Sequence, residues 1–159
     1  MGENVKGYEQ IIAALNNLLA SELTAINQYM VHAEMCENWG YGKLHNAVEK
    51  RAIDEMKHAE MLIARIIFLE GSPTVSVLRE MHIGSTVETQ FTNDHSIELS
   101  CVEMYNDAIK EAGDLADSTT RQLLESILKT EENDHIDWLE AQIDQIKQMG
   151  IQNYLSQQT

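Results

Sequence analysis

The 159 residues include 26 acidic against 11 basic side chains, a formal charge of −15, which excludes nucleic acid and membrane surfaces rich in anionic lipid as natural partners because both repel such a chain. One proline, eight glycines and 43% apolar residues leave little for a loop-rich β fold and favour long helices in a single domain over residues 1–159. Cys36 and Cys101 stand alone, with no Cys-x-x-Cys pair. Neither a zinc ribbon nor a rubredoxin-type iron site is therefore encoded. Free thiols, no apolar run near the ~20 residues of a membrane span, and an N-terminus without the basic-then-apolar plan of a signal peptide give the expectation of a cytoplasmic protein.

From Tyr8 to about Asn38 the positions Leu15, Leu18, Leu19, Ile26, Tyr29 and Ala33 recur at helical spacing, which predicts a first helix with Glu22 inside its apolar stripe. Trp39-Gly40-Tyr41-Gly42 reads as a short turn into an antiparallel second helix, from about Lys43 to Glu70, striped by Leu44, Val48, Leu62, Ile66 and Leu69. Gly71-Ser72-Pro73 stops it, since proline lacks an N–H and pushes its neighbour out of the helix. The irregular segment from Gly71 to about Ser85 is long enough to traverse a bundle, because ~15 extended residues reach about 50 Å and a ~28-residue helix is about 42 Å. The third helix, about Thr86 to Leu115, would then run parallel to the second; its stripe is Phe91, His95, Glu98, Val102, Tyr105, Ile109 and Ala112. Asp117-Ser118 caps a fourth helix, about Thr119 to Met149, striped by Leu124, Leu128, Leu139, Ile143 and Ile146. Gly150 ends it, and residues 151–155, too apolar for a free tail, are expected to form a short fifth helix.

The chemistry lies within these stripes. Glu55 and His58 are three residues apart on the second helix, and Glu132 and His135 repeat the spacing on the fourth; residues so spaced share a helical face. Glu22 and Glu98 interrupt the other two stripes. Four carboxylates and two imidazoles on four helices are the ligand set of carboxylate-bridged di-metal bundles. A surface glutamate is the ordinary reading of any one of these residues, but four acids buried together repel strongly unless cations sit among them. Glu22 precedes Glu55 by nearly the interval at which Glu98 precedes Glu132, and this symmetry makes Glu55 and Glu132 bridging and Glu22 and Glu98 terminal. Oxygen and imidazole ligands admit iron, manganese or zinc. Iron fits both the divalent and the oxidised state. Met56 lies about 100° from Glu55 around the helix and cannot serve the same metals.

The stretches Glu22-Leu-Thr-Ala-Ile-Asn-Gln-Tyr29, Ile53-Asp-Glu-Met-Lys-His-Ala-Glu60, Arg65-Ile-Ile-Phe-Leu-Glu-Gly71, His135-Ile-Asp-Trp-Leu-Glu140 and Met149-Gly-Ile-Gln-Asn-Tyr-Leu155 resemble the bacterioferritins, over nearly the whole chain. The resemblance implies an all-α, ferritin-like four-helix bundle with a long crossover between the second and third helices. It further implies a shell of twenty-four identical subunits that oxidises ferrous iron with oxygen or peroxide and stores ferric mineral. Carried over, the ferroxidase ligands are Glu22, Glu55, His58, Glu98, Glu132 and His135, with Tyr29 as an electron donor beside them. Met56 matches the methionine that, paired across a twofold axis, ligates a b-type haem. A ferredoxin-type reductant is the implied redox partner. Lys50 stands where some relatives carry a histidine that holds an inner-surface iron together with the acid matching Asp54, so that site is expected to be empty. Arg51 and His95 are expected to support the ligands rather than join them. The competing readings are a rubrerythrin-like peroxidase, which the missing rubredoxin-type cysteines disfavour, and a non-enzymatic haem or metal carrier.

Overall fold

A computed structural model describes residues 5–159. Among the described residues every regular element is helical: α1 (Val5–Asn38), α2 (Gly42–Phe68), α3 (Val87–Asp114), α4 (Ser118–Thr130), a π-helical turn (Glu131–Ile136), α5 (Asp137–Met149) and α6 (Ile151–Ser156). The expected apolar stripes of α1 and α2 face inward, with Leu15, Leu18, Leu19, Leu44, Leu62 and Ile66 almost wholly buried, while on α3 Phe91, Glu98, Tyr105 and Ala112 are buried and His95, Val102 and Ile109 only partly so. Gly40, at φ 85°, makes the left-handed turn between α1 and α2, a conformation glycine adopts without a Cβ clash. Thr86 and Asp117 cap α3 and α4 by accepting from the N–H groups of Thr89 and Thr120. Asp117 also takes Arg65 at 3.1 Å, tying the end of α2 to the turn between α3 and α4.

The crossover is pinned along α1 by a ladder of polar side chains. Asn16 bonds the carbonyl of Ser72 and the N–H of Thr74. Arg79 meets Asn17, Ser21 and Thr24. Gln28 accepts from the N–H of His82, and His32 Nε2 accepts from that of Gly84 at 3.0 Å. These partners climb α1 in order, so the segment runs the length of that helix and delivers α3 beside the start of α2, where Val87 and Leu44 share one cluster. The parallel course of α2 and α3 follows. Bonding a loop's backbone to side chains that would otherwise face water satisfies groups that close packing would strand. Gly84 is required at the upper end, because a Cβ there would lie 2.4 Å from the backbone nitrogen of Gln90.

The fourth helix departs from expectation. It is not one continuous α-helix from Thr119 to Met149: the π turn at Glu131–Ile136 divides it. A π turn closes i→i+5 bonds and so takes in one residue more than an α turn. Before it the inward positions are Thr120, Leu124 and Ile127, within it Glu131 and His135, and after it Leu139. Two apolar layers flank the middle of the bundle. One holds Ile11, Leu15, Leu62, Ile66, Tyr105 and Ile127; the other holds Cys36, Leu44, Val87, Phe91, Leu139 and Tyr154.

Candidate metal centre

Between those layers six titratable side chains converge, each no more than 5% exposed: Glu22 from α1, Glu55 and His58 from α2, Glu98 from α3, and Glu131 and His135 from the π turn. His58 Nδ1 lies 3.0 Å from Glu131 Oε1, 3.3 Å from Glu55 Oε2 and 3.8 Å from Glu22 Oε2. His135 Nδ1 lies 3.0 Å from Glu55 Oε1, 3.2 Å from Glu98 Oε1 and 3.2 Å from Glu131 Oε2. Glu55 and Glu131 thus each turn one oxygen to each imidazole, whereas Glu22 and Glu98 each face only one. The result is two groups of four side chains, Glu22-Glu55-His58-Glu131 and Glu55-Glu98-Glu131-His135, each able to offer four ligand atoms to one metal ion and sharing two carboxylates.

Glu132, expected in this set, is exposed, and Glu131 takes its place. The cause is the π turn, which shifts the inward phase of the preceding helix by one residue and sets the acid four positions before the imidazole. The other five expected ligands lie in the cluster. Tyr29, wholly buried, donates to Glu98 Oε1. Tyr105 does the same for Glu22 at 2.5 Å, a partnership that the apolar stripe of α3 does not by itself reveal. A signal for it was nonetheless present: each tyrosine follows an acid of its own helix by two turns, Tyr29 after Glu22 and Tyr105 after Glu98. Each phenol then crosses to the other helix's acid.

Met56 is 46% exposed, on the outward side of α2. Lys50 is exposed and Asp54 partly so, with Asp54 Oδ2 3.3 Å from His135 Nε2. His95 lies at the rim near Glu140, at 3.6 Å. The inward residue of that turn is Asp94, which accepts from Gln28 and lies 2.9 Å from His32 Nδ1.

The electrostatics are those of acids packed around two cationic rings. Burial and the neighbouring carboxylates push Glu55 and Glu98 well above the usual carboxylate range. Burial acts the same way on Glu131, but hydrogen bonds from Glu98, His135 and His58 hold it well below that range. Burial disfavours the His58 imidazolium, yet bonds to Glu131, Glu22 and Glu55 outweigh it and push the ring up to about 12. His135 is raised by Glu131, Glu55 and Glu98 in the same manner. The raised imidazoles and the raised Glu55 and Glu98 carboxyls all favour the protonated form, so protons compete here for the place that divalent cations would take. Glu22 Oε2 and Glu98 Oε2 are buried with no hydrogen-bond partner among the described residues. Buried oxygens without a donor are costly unless a cation takes them, so this donor set fits a pair of metal ions.

Residues 12–149 match the family model for the ferritin-like domain. The chain is 39% identical to a bacterioferritin of Mycolicibacterium paratuberculosis, covering 96% of each. It is 38% identical to a bacterial ferritin of Paramagnetospirillum magnetotacticum, over 95% of this chain and 93% of the relative. A bacterial ferritin of Synechocystis is 36% identical, over 97% and 99%. Coverage near completeness in both directions rules out a likeness confined to one shared module: the chain belongs to the bacterioferritin family.

Proposed function

We propose that this protein stores iron inside a homo-oligomeric shell, of twenty-four subunits as the family likeness implies, and that it oxidises ferrous iron at the buried centre before depositing it. The observation that carries this reading is the pair of side-chain groups sharing Glu55 and Glu131. Shared carboxylates hold two cations at a separation suited to joint chemistry, about 3.5–4 Å. Ferrous iron is both substrate and cargo. Each ion gives up one electron, and a pair reduces one peroxide to two hydroxides or begins the reduction of oxygen.

The chain's own residues prepare the site for that exchange. His58 and His135 release their protons when cations arrive, because a metal ligand must be neutral imidazole. Tyr105 and Tyr29 steer one oxygen of Glu22 and of Glu98, leaving the unpartnered oxygen of each for a cation. Tyr29 is an oxidisable group bonded directly to a ligand, which supports its assignment as an electron donor. The flanking apolar layers exclude bulk water and strengthen every charge interaction inside.

Met56 suits a haem ligand shared with a second copy of the chain: the residue is exposed, and it lies about 100° from Glu55 around the helix. A b-type haem there would supply an electron path toward stored iron, with a ferredoxin-type protein as reductant. Lys50 replaces a ligand at the inner surface, and Asp54 faces His135, so no inner-surface iron is assigned to this pair. Among the described residues no helix is long and apolar enough to cross a membrane, in keeping with a cytoplasmic store. Rapid-mixing absorbance after ferrous iron is added to the metal-free shell tests the proposal. A fast ferric signal at two irons per subunit is expected, and mineral growth without that phase would reduce the centre to a cation sink.

A further inference from the structure

Arg51 is a basic residue 8% exposed, one turn before Glu55 on α2. Its Nη1 donates to the carbonyl of Asp134 at 2.9 Å, inside the π turn, and its guanidinium lies 4.1 Å from the centre of the Trp138 ring. Its Nε has no hydrogen-bond partner among the described residues. Burying a guanidinium costs free energy, and these two contacts, together with the charges of the nearby acids Glu98, Asp54 and Asp94, offset it. Both fall on the irregular turn: Asp134 immediately precedes His135, and Trp138 follows it by about one turn. A π turn is a rare and weakly favoured geometry. Here it decides which acid faces inward, since Glu131 and not Glu132 enters the cluster.

We propose that Arg51 is a positioning residue that clamps the π turn from α2, and thereby sets Glu131 and His135 at the metal centre. The guanidinium grips the turn on both sides of His135, by a charge-assisted bond to the backbone before it and a cation–π contact over the indole after it. Through Arg51, α2 therefore acts twice: it supplies Glu55 and His58 directly and fixes the opposite pair of ligands indirectly. The clamp is tied to the extra residue in the turn. A chain with one residue fewer between Glu131 and His135 would place both on one face of a regular helix, three apart as in Glu55 and His58, and would have no turn to hold.

The inference rests on the metal-centre reading, and cobalt separates the two. Metal-free protein is titrated with Co(II) alone, following visible absorption and thermal melting, for the wild type, Arg51→Met, deletion of Asn133, and the two combined. Asn133 is exposed, so its removal takes nothing from the core. Wild type taking up two cobalt ions per subunit supports the centre itself; failure to do so sinks that reading whatever Arg51 does. Arg51→Met is expected to bind cobalt at least about tenfold more weakly, with an altered visible band, as loss of outer support for metal ligands does. The deletion in the same background restores affinity and band. Unchanged cobalt affinity and band in Arg51→Met, even with a lowered melting temperature, would overturn the proposal, as would a combined variant no better than Arg51→Met. If Arg51→Met does not fold, Arg51→Lys takes its place. Lysine lacks the planar guanidinium, so the expected result is again weaker cobalt binding relieved by the deletion, and no relief would overturn the clamp.

Discussion

Glu55 and Glu131, on facing elements of the bundle, are equivalent in geometry: each carboxylate sends one oxygen to His58 and the other to His135, at 3.0–3.3 Å. Equivalence of this kind has a consequence for mutation. Glu131→Ala should slow the initial oxidation of ferrous iron by more than about 100-fold, because loss of a mere outer partner of a ligand already costs about 10–100-fold. Glu132→Ala, on the exposed neighbour, should leave the rate unchanged. Stopped-flow absorbance of the two variants, checked for shell assembly by gel filtration, gives the comparison. A reversal of the two effects would return the ligand role to Glu132.

Uptake of metal should release protons and strengthen with pH. His58 is pushed from 6.5 up to about 12 and His135 is raised in the same direction, so in the metal-free protein both rings stay charged through neutrality. A raised folded-state value means that the stabilising contribution is fully present below the ordinary imidazole range and is lost as pH climbs toward the shifted one. Metal must displace those protons. Zinc titrated into metal-free protein in weak buffer should acidify the solution and bind more tightly at about pH 8 than at about pH 6. Affinity that fell or held level over that interval would contradict the protonated pair.

The crossed phenols make a paired test. Tyr105→Phe removes the donor to Glu22, and Tyr29→Phe the donor to Glu98. Tyr105→Phe leaves a buried oxygen of Glu22 without its donor, a loss of about 1–3 kcal/mol, whereas Glu98 Oε1 keeps His135 Nδ1 at 3.2 Å when Tyr29 is replaced. Metal-free Tyr105→Phe should melt lower than wild type, with much of the deficit recovered on adding zinc, which supplies the missing positive partner. Equal deficits with and without zinc would mean that the phenol stabilises packing alone.

Gly84→Ala probes the crossover. The added methyl would stand 2.4 Å from the Gln90 nitrogen, a backbone atom that cannot swing aside. Overpacking of this kind costs about 1–3 kcal/mol, and the bond from the Gly84 N–H to His32 should be lost with it. Thermal melting and amide exchange of residues 79–84 report the two effects; a variant as stable and as protected as wild type would show that the loop is not held as described.

Haem binding is tested at Met56. Met56→Leu keeps the side chain's bulk and removes the sulfur, and is expected to abolish the Soret band of haem-reconstituted shells while sparing the initial iron oxidation. An undiminished band would remove Met56 from the haem site.

The helices were legible because apolar residues on α1, α2 and α3 recur with an unbroken helical period, and Glu22, Glu55, His58 and Glu98 lie on those stripes. Glu131 was not. Extending the α period through the fourth helix selects Leu128 and Glu132, and the Glu-x-x-His spacing of α2 reinforces that choice; the π turn breaks the phase at the ligands themselves. The ladder Asn17, Ser21, Thr24, Gln28 and His32 is spaced for one helical face, but polar residues so arranged read as a solvated face until the loop that covers them is known. Asp94 was hidden for a related reason. His95 next to it is the more conspicuous residue, while the side chain turned inward is the acid that meets Gln28 and His32.

The most direct measurement is the anomalous scattering of iron in crystals of the assembled protein soaked anaerobically with ferrous salt. Two peaks per subunit, about 3.5–4 Å apart, with Glu55 and Glu131 each touching both, Glu22 and His58 on one and Glu98 and His135 on the other, are the predicted result. A single peak, or two peaks bridged by Glu132 with Glu131 turned away, would contradict a centre bridged by Glu55 and Glu131.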